Sequence, residues 1–250
     1  MERHIPPRGG SRVQKGGAVS ADRRRHLQNL LAEYHNAADL LRGICDLCVT
    51  EVAVSGARVR VLGATSVDGG GALVCSSDEL GVRLDDLAVT VGSAPCFDAF
   101  ELGRPVLVPD LTADGGRWPG FTADAIAAGA VALFSFPLQV GGVRLGVLEM
   151  HRRSAGSLAP AQLTDALLLA DAATDTIFDD LHGVAPLTLS GLVDIQAEVH
   201  QATGMVAVDM RVSLAEALLR MRGHAFARHM TLAEVAKEII ERRLRLDDGE

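Results

Sequence analysis

Aromatic side chains are scarce in this chain, at 4% of 250 residues, with a single tryptophan and a single tyrosine. Any core must therefore be aliphatic, and the 48% apolar content is enough for one large domain or two ordinary ones. Cysteine is also sparse: Cys45, Cys48, Cys75 and Cys96 are too few and too irregularly spaced for a disulfide framework. The first twenty residues hold no apolar stretch that could act as a signal peptide. Apolar runs such as 130–140, interrupted by Ser135 and Pro137, are too short to span a bilayer. The expectation is a cytoplasmic protein without a membrane segment.

Motifs for catalysis are missing too. There is no Gly-x-Ser-x-Gly elbow, no phosphate-binding Gly-x-x-x-x-Gly-Lys loop and no Gly-x-Gly-x-x-Gly after a strand. Asp110 and Asp114 could be posed as paired carboxylates, but both lie among turn residues, where Asp commonly binds its own backbone. Cys45-x-x-Cys48 has a metal or redox spacing, yet it falls in an apolar helical stretch with no second pair. Cys96 has no basic neighbour in sequence and reads as a buried structural thiol. His151, beside Arg152 and Arg153, reads as a solvated histidine. No catalytic residue, metal or cofactor is expected.

What the chain does have is uneven charge. The formal net charge is -8. Residues 1–26 carry seven Lys/Arg against two acids, residues 27–191 nine against twenty, and residues 192–246 eight against seven. All eight of those last basic residues fall within 211–246, with only four acids. An acidic bulk is thus followed by a tail with a basic surplus, which directs any nucleic-acid reading to the tail.

The organisation follows from periodicity. Residues 1–26, rich in Gly, Pro and Arg, read as a disordered basic leader. Leu27, Leu30, Leu31, Tyr34, Leu41, Ile44 and Cys48 recur at helical spacing, with a weak point at Asn36–Asp39. Strands are expected at Arg58–Leu62, Ala72–Cys75, Pro105–Val108, Ala132–Leu138 and Leu145–Met150, the first pair joined by the glycine-rich loop Ser66–Gly71. Gly141-Gly142 fits a tight turn between the last two. Helical spacing returns at Pro160–Phe178. Residues 27–182 read as an α+β domain with an antiparallel sheet and flanking helices, residues 183–191 as a linker around Pro186, 192–246 as a helical domain and 247–250 as a short end.

The first domain resembles the GAF family. The resemblance is carried by Ala94-Pro95-Cys96-Phe97-Asp98-Ala99-Phe100, Val108-Pro109-Asp110-Leu111, Arg117-Trp118-Pro119-Gly120-Phe121, Phe136-Pro137-Leu138 and Leu145-Gly146-Val147-Leu148, in that order. It implies a module that binds a small molecule or transmits a conformational signal, without identifying the ligand. Trp118, Phe121 and Phe134 could wall a pocket, or simply complete a core in a chain this poor in aromatics.

The tail reads as three amphipathic helices. Leu192, Ile195, Val199, Ala202 and Val206 share one side of the first. Ser213 with Glu216 and Thr231 with Glu234 have capping-box spacing before the second and third. Ala202-Thr203-Gly204, Ser213–Leu218, Met221-Arg222, Ala225, Leu232 and Val235-Ala236 resemble the ANTAR family, an RNA-binding antitermination module of bacterial regulators. Thr203 stands where that family usually has Lys, and His229 where it commonly has Asn, which alters two polar contacts.

The resemblance implies an all-α three-helix bundle that binds paired RNA stem-loops as a dimer and keeps a terminator hairpin from forming. The RNA contacts it implies are Thr203, Gly204, Arg220, Arg222, Arg228, His229 and Lys237. Arginine suits the task because its planar fork grips phosphate and stacks on exposed bases, though each arginine could equally be an ordinary solvated residue. The reading is a signal-responsive antiterminator, non-enzymatic and homodimeric through Leu27–Cys48 and Pro160–Phe178. The alternative is a dimeric ligand sensor whose helical tail binds DNA or another protein.

Overall fold

The computed structural model describes residues 11–62, 71–113, 116–181 and 193–246. The expected linker 183–191, the end 247–250, most of the loop 66–71 and Asp114 lie outside them. Five strands, β1 (Gly56–Leu62), β2 (Gly71–Ser76), β3 (Val106–Val108), β4 (Ala132–Val140) and β5 (Val143–Arg152), form one antiparallel sheet in the order β2-β1-β5-β4-β3. All five expected strands are present, within two residues at each end. Val140 pairs with Val143 across the expected tight turn, where Gly141 takes a φ of 59°. Gly146 lets β5 run close to β1, since a Cβ there would stand 2.2 Å from the Arg60 carbonyl oxygen.

Both faces of the sheet are covered. On one side lie α2 (Ala37–Glu51) and α6 (Pro160–Leu181), and on the other α3 (Glu79–Val91), α4 (Pro95–Leu102) and α5 (Pro119–Ala128). Period-2 alternation sorts the strands between them: Ala57, Val59, Phe134, Phe136, Leu148 and Met150 face α2 and α6, whereas Leu62, Leu133 and Val147 face α3 to α5. Asn36 at the expected weak point starts α2, its side-chain oxygen accepting from the Asp39 N–H at 2.9 Å.

The three helices between the strands were not legible individually. Each is marked by punctuation rather than by a long stripe. Pro95 and Pro119 sit in the first turns of α4 and α5, Asp78 caps α3, and Gly92, Gly103 and Gly129 end all three in the left-handed region.

The leader departs from expectation. Residues 1–10 are not described, but Ser11–Leu31 forms α1, a helix that begins well before Leu27. Its arginines find acids on the domain: Arg23 forks onto Asp165 at 2.8 and 3.0 Å and reaches Glu51 at 2.6 Å, and Arg24 meets Asp171 at 3.0 Å. Leu27 and Leu31 are buried with α2 and α6. Composition alone judged this segment by what it contains and missed the acidic surface that neutralises it.

The helices offered as a dimer surface are largely used inside the chain. Ile44, Cys45 and Cys48 of α2, and Ala166, Leu169, Ala173 and Ile177 of α6, are all fully buried against the sheet. The small residues of α6 serve close packing within the domain. After it, α7 (Val193–Met210), α8 (Leu214–Arg228) and α9 (Leu232–Ile240) form a bundle around Ala202, Val206, Ala217, Met221, Ala225, Val235, Ala236 and Ile239. At Thr231 the capping box is complete; at Ser213 only half forms, because the Glu216 carboxylate turns to Arg220.

Candidate functional site

The sheet face beneath α3 to α5 carries charge in its interior. Arg58 and Arg60 alternate with Ala57, Val59 and Val61 along β1, so both point to that face, and both are buried. Arg58 meets Glu149 of β5 at 2.5 Å and donates to the Gly81 carbonyl at 3.0 Å. The second oxygen of Glu149 accepts from the Ser135 hydroxyl at 2.6 Å. Arg60 pairs with Asp85 of α3 at 2.5 Å and also donates to the Gly71 carbonyl.

One oxygen of the seam, Asp85 Oδ1, is buried without a hydrogen-bond partner, as is the Thr122 hydroxyl of α5. They would welcome a polar group. Cys96 lies next to the seam, 4.0 Å from Arg58, and burial together with the charge of Glu149 pushes its thiol up to about 12. It is an inert, buried thiol, as expected.

Trp118 and Phe121 pack in this same layer, but Phe134 belongs to the opposite face of the sheet, with α2 and α6. The three rings are each at most 1% exposed and do not line one pocket. Period 2 explains the separation: Leu133 and Ser135 are the β4 residues that face the seam, which sends Phe134 the other way. The first-domain residues that sequence reasoning missed are the charged ones. Two arginines on one strand face read as a solvent face, and only a layer of helices above them reveals otherwise.

His151 is a further correction. It is 1% exposed, not solvated, with Nε2 3.2 Å from Asp78 Oδ2. Its ring packs over Gly56, where a Cβ would stand 2.4 Å from Cε1. Cys45 and Cys48 are both buried in the core, with the Cys45 sulfur 3.4 Å from that of Cys75. Asp110 accepts from the Thr112 N–H and hydroxyl, the self-bonding turn expected of it. Among the described residues no group of three or more His, Cys, Asp or Glu is placed to hold a metal ion.

In the tail, the residues tied to RNA by resemblance divide. Thr203 is corrected: it is buried, its hydroxyl donating to the Val199 carbonyl at 2.7 Å and lying 3.6 Å from the Met221 sulfur. A mid-helix threonine that bonds back to its own turn has no hydroxyl left for phosphate. Gly204 has open space where a Cβ would be. Arg220 pairs with Glu216 at 2.8 Å. Arg228 and Lys237 are exposed in the last turns of α8 and α9.

His229 ends α8 with a φ of 53°. That left-handed position is one Asn occupies readily, so the Asn usual there in the family has a backbone reason, and His229 is first a cap. Arg222 is turned toward the first domain, its Nε donating to the Val89 carbonyl of α3 at 3.2 Å. The exposed Leu219 and Phe226, one side of α8 at a spacing of seven, were not singled out in the sequence because a bundle helix is expected to bury such residues.

Two outcomes follow for the seam. Glu149→Ala strands the Arg58 charge in the interior and should destabilise the domain by about 3–5 kcal/mol, read from urea unfolding; a loss below about 1 kcal/mol would mean the pair is solvated. Burial lowers the pKa of His151 below its ordinary 6.5, with Asp78 opposing only in part. The unfolded chain then takes up a proton before the native one does. Stability should therefore fall as pH drops below about 6.5 and level off once native His151 also protonates, and His151→Asn should flatten that part of the unfolding profile.

Comparison with known proteins bears on the first domain. Residues 35–177, more than half of the chain, match the family described as GAF domain. The GAF domain of an Acinetobacter phosphoenolpyruvate-protein phosphotransferase is similar in structure, with 10% identity and a TM-score of 0.51 over 66% of this chain and 96% of that one. The corresponding domain from Coxiella burnetii, at 13% identity and the same TM-score, covers 66% and 96%. No curated protein matches the chain. A five-stranded antiparallel sheet in the order β2-β1-β5-β4-β3, helices on both faces and the family match together make this chain a member of the GAF domain family, whose domains are signal-sensing modules.

Proposed function

We propose that the chain is a signal-responsive RNA-binding transcription antiterminator, in which the GAF domain receives the signal and the α7–α9 bundle holds paired RNA stem-loops as an ANTAR domain does. The observation that carries this reading is the bundle itself. Its core uses Ala202, Ala217, Met221, Ala225, Leu232, Val235 and Ala236, which include the apolar positions of the ANTAR resemblance, and its second and third helices start at Ser213 and Thr231.

A bundle that spends those residues on packing leaves Gly204, Arg228 and Lys237 outside, where phosphates can reach them. The signal would be a small molecule or a conformational change at the seam of Arg58, Arg60, Asp85 and Glu149, where the unpartnered Asp85 Oδ1 gives a polar ligand something to bind. No helix among the described residues is long and apolar enough to cross a membrane, and we place the protein in the cytoplasm. A homodimer would present two bundles to a tandem RNA site and raise their effective concentration. With most of α2 and α6 covered, such pairing would draw on what remains exposed there, such as Leu167 of α6 and Tyr34 in the turn before α2.

A second reading, a sensor whose tail binds another protein, is favoured by the exposed Leu219 and Phe226. Crosslinking in cells followed by sequencing of bound RNA separates the two. Enrichment of paired stem-loops upstream of genes supports the antiterminator, and no enrichment supports the protein-binding tail. On an enriched stem-loop, Arg228→Ala should weaken binding and lower the slope of log affinity against log salt by about 1, because one fewer counterion is released. An unchanged slope would remove Arg228 from the interface.

A further inference from the structure

The C-terminal turn of α3 meets the tail bundle through fitted contacts rather than incidental ones. Arg222 Nε donates to the Val89 carbonyl at 3.2 Å. The backbone N–H of Leu232, an open donor in the first turn of α9, is buried and donates to the Thr90 hydroxyl at 3.2 Å. Val89 packs against both the first-domain core and the tail core. Gly92 completes the seat: it ends α3 at a φ of 73°, and a Cβ there would stand 2.9 Å from Arg222 Nη1 and 3.0 Å from Cζ. Only glycine offers both that backbone conformation and that room.

Arg222 is also a residue that a nucleic-acid-binding tail would aim at its ligand. A guanidinium whose Nε donates to a backbone carbonyl and whose Nη1 lies over a glycine has lost its side-on Nε/Nη edge for a fork onto phosphate, and its other edge is hemmed in by α3. We propose that the end of α3 is an intramolecular docking site that holds the tail with Arg222 turned inward, so that the tail's ligand must displace α3 to engage it. The identity of that ligand as RNA rests on the reading above; the docking itself does not.

The other side of α3 gives the clamp a means of control. Asp85 pairs with Arg60, and the Gly81 carbonyl accepts from Arg58, so the helix that seats the tail also closes over the charged seam of the sensor. A ligand or charge change at the seam shifts α3, and with it Val89, Thr90 and Gly92. The apparent affinity of the tail for its ligand falls in proportion to the fraction of molecules that are undocked.

The test compares the full chain with Val89→Asp, which puts a charge into the packed contact, and Thr90→Val, which keeps the shape and removes the acceptor for Leu232. An arginine-selective dicarbonyl reagent, read by peptide mass spectrometry, reports each guanidinium separately. Exposed Arg228 is the reactive standard, and buried Arg58 shows whether the GAF domain remains folded. Arg222 should react well below Arg228 in the wild-type chain and rise toward it by about tenfold in Val89→Asp, with a smaller rise in Thr90→Val, while Arg58 stays protected. Equal rates for Arg222 and Arg228 in the wild-type chain, or no rise in either variant, would overturn the docking.

A pool of synthetic RNA hairpins with randomised loops then tests competition. Several-fold greater retention by Val89→Asp than by wild type supports the clamp, and equal retention with Arg222 newly reactive overturns it. If neither protein retains any hairpin, the RNA reading fails, while the dicarbonyl rates still decide the docking.

Discussion

Two arginines on the inner side of a central strand set the terms for the first domain. A buried guanidinium is costly unless a carboxylate and further acceptors surround it, and the desolvation penalty for each ion is several kcal/mol, on the order of the attraction that offsets it. Arg58 obtains Glu149 from the neighbouring strand, so β1 and β5 must hold their register. Arg60 obtains Asp85 from α3, so that helix must lie across the sheet at one position along its length. An aliphatic core can be repacked in several ways, whereas a paired charge accepts few geometries. In a chain with so few aromatic side chains, this polar seam supplies specificity that large rings supply elsewhere.

The position of α3 then reaches beyond the domain. Its first turns seal the charged seam and its last turn receives the tail, so α3 touches both that interior and residues proposed to hold RNA. The acidic bulk of the first domain has a use on this view as well. It neutralises Arg23 and Arg24 of α1 at one end.

Much of this fold could be read from the residues. The five strands, the break at Asn36, the turn at Gly141, the long helix from Pro160 and the caps at Ser213 and Thr231 all follow from local chemistry, because periodicity and capping act over a few residues. What escaped reading depends on partners far away in the chain. Arg58 is distant from Glu149, His151 from Asp78 and Arg222 from Val89, and each looks solvated when only its neighbours in sequence are considered. Phe134 could be read as a pocket wall with Trp118 and Phe121 or as plain core, and only the strand register, which puts it on the opposite face of the sheet, decides for core. Thr203 illustrates the opposite error. It was read by family position as a contact, and its own helix already satisfies its hydroxyl.

The central claim is that α3 couples the charged seam of the sensor to the tail. Amide hydrogen exchange at Leu232 in an Asp85→Asn variant tests it most directly, because Asp85 lies on α3 facing Arg60 of the sheet, away from the turn that holds Leu232. The account predicts faster exchange at Leu232 than in the wild-type chain, alongside faster exchange in the last turn of α3, with the interior of α7 unchanged. Unchanged exchange at Leu232 despite faster exchange along α3 would contradict it.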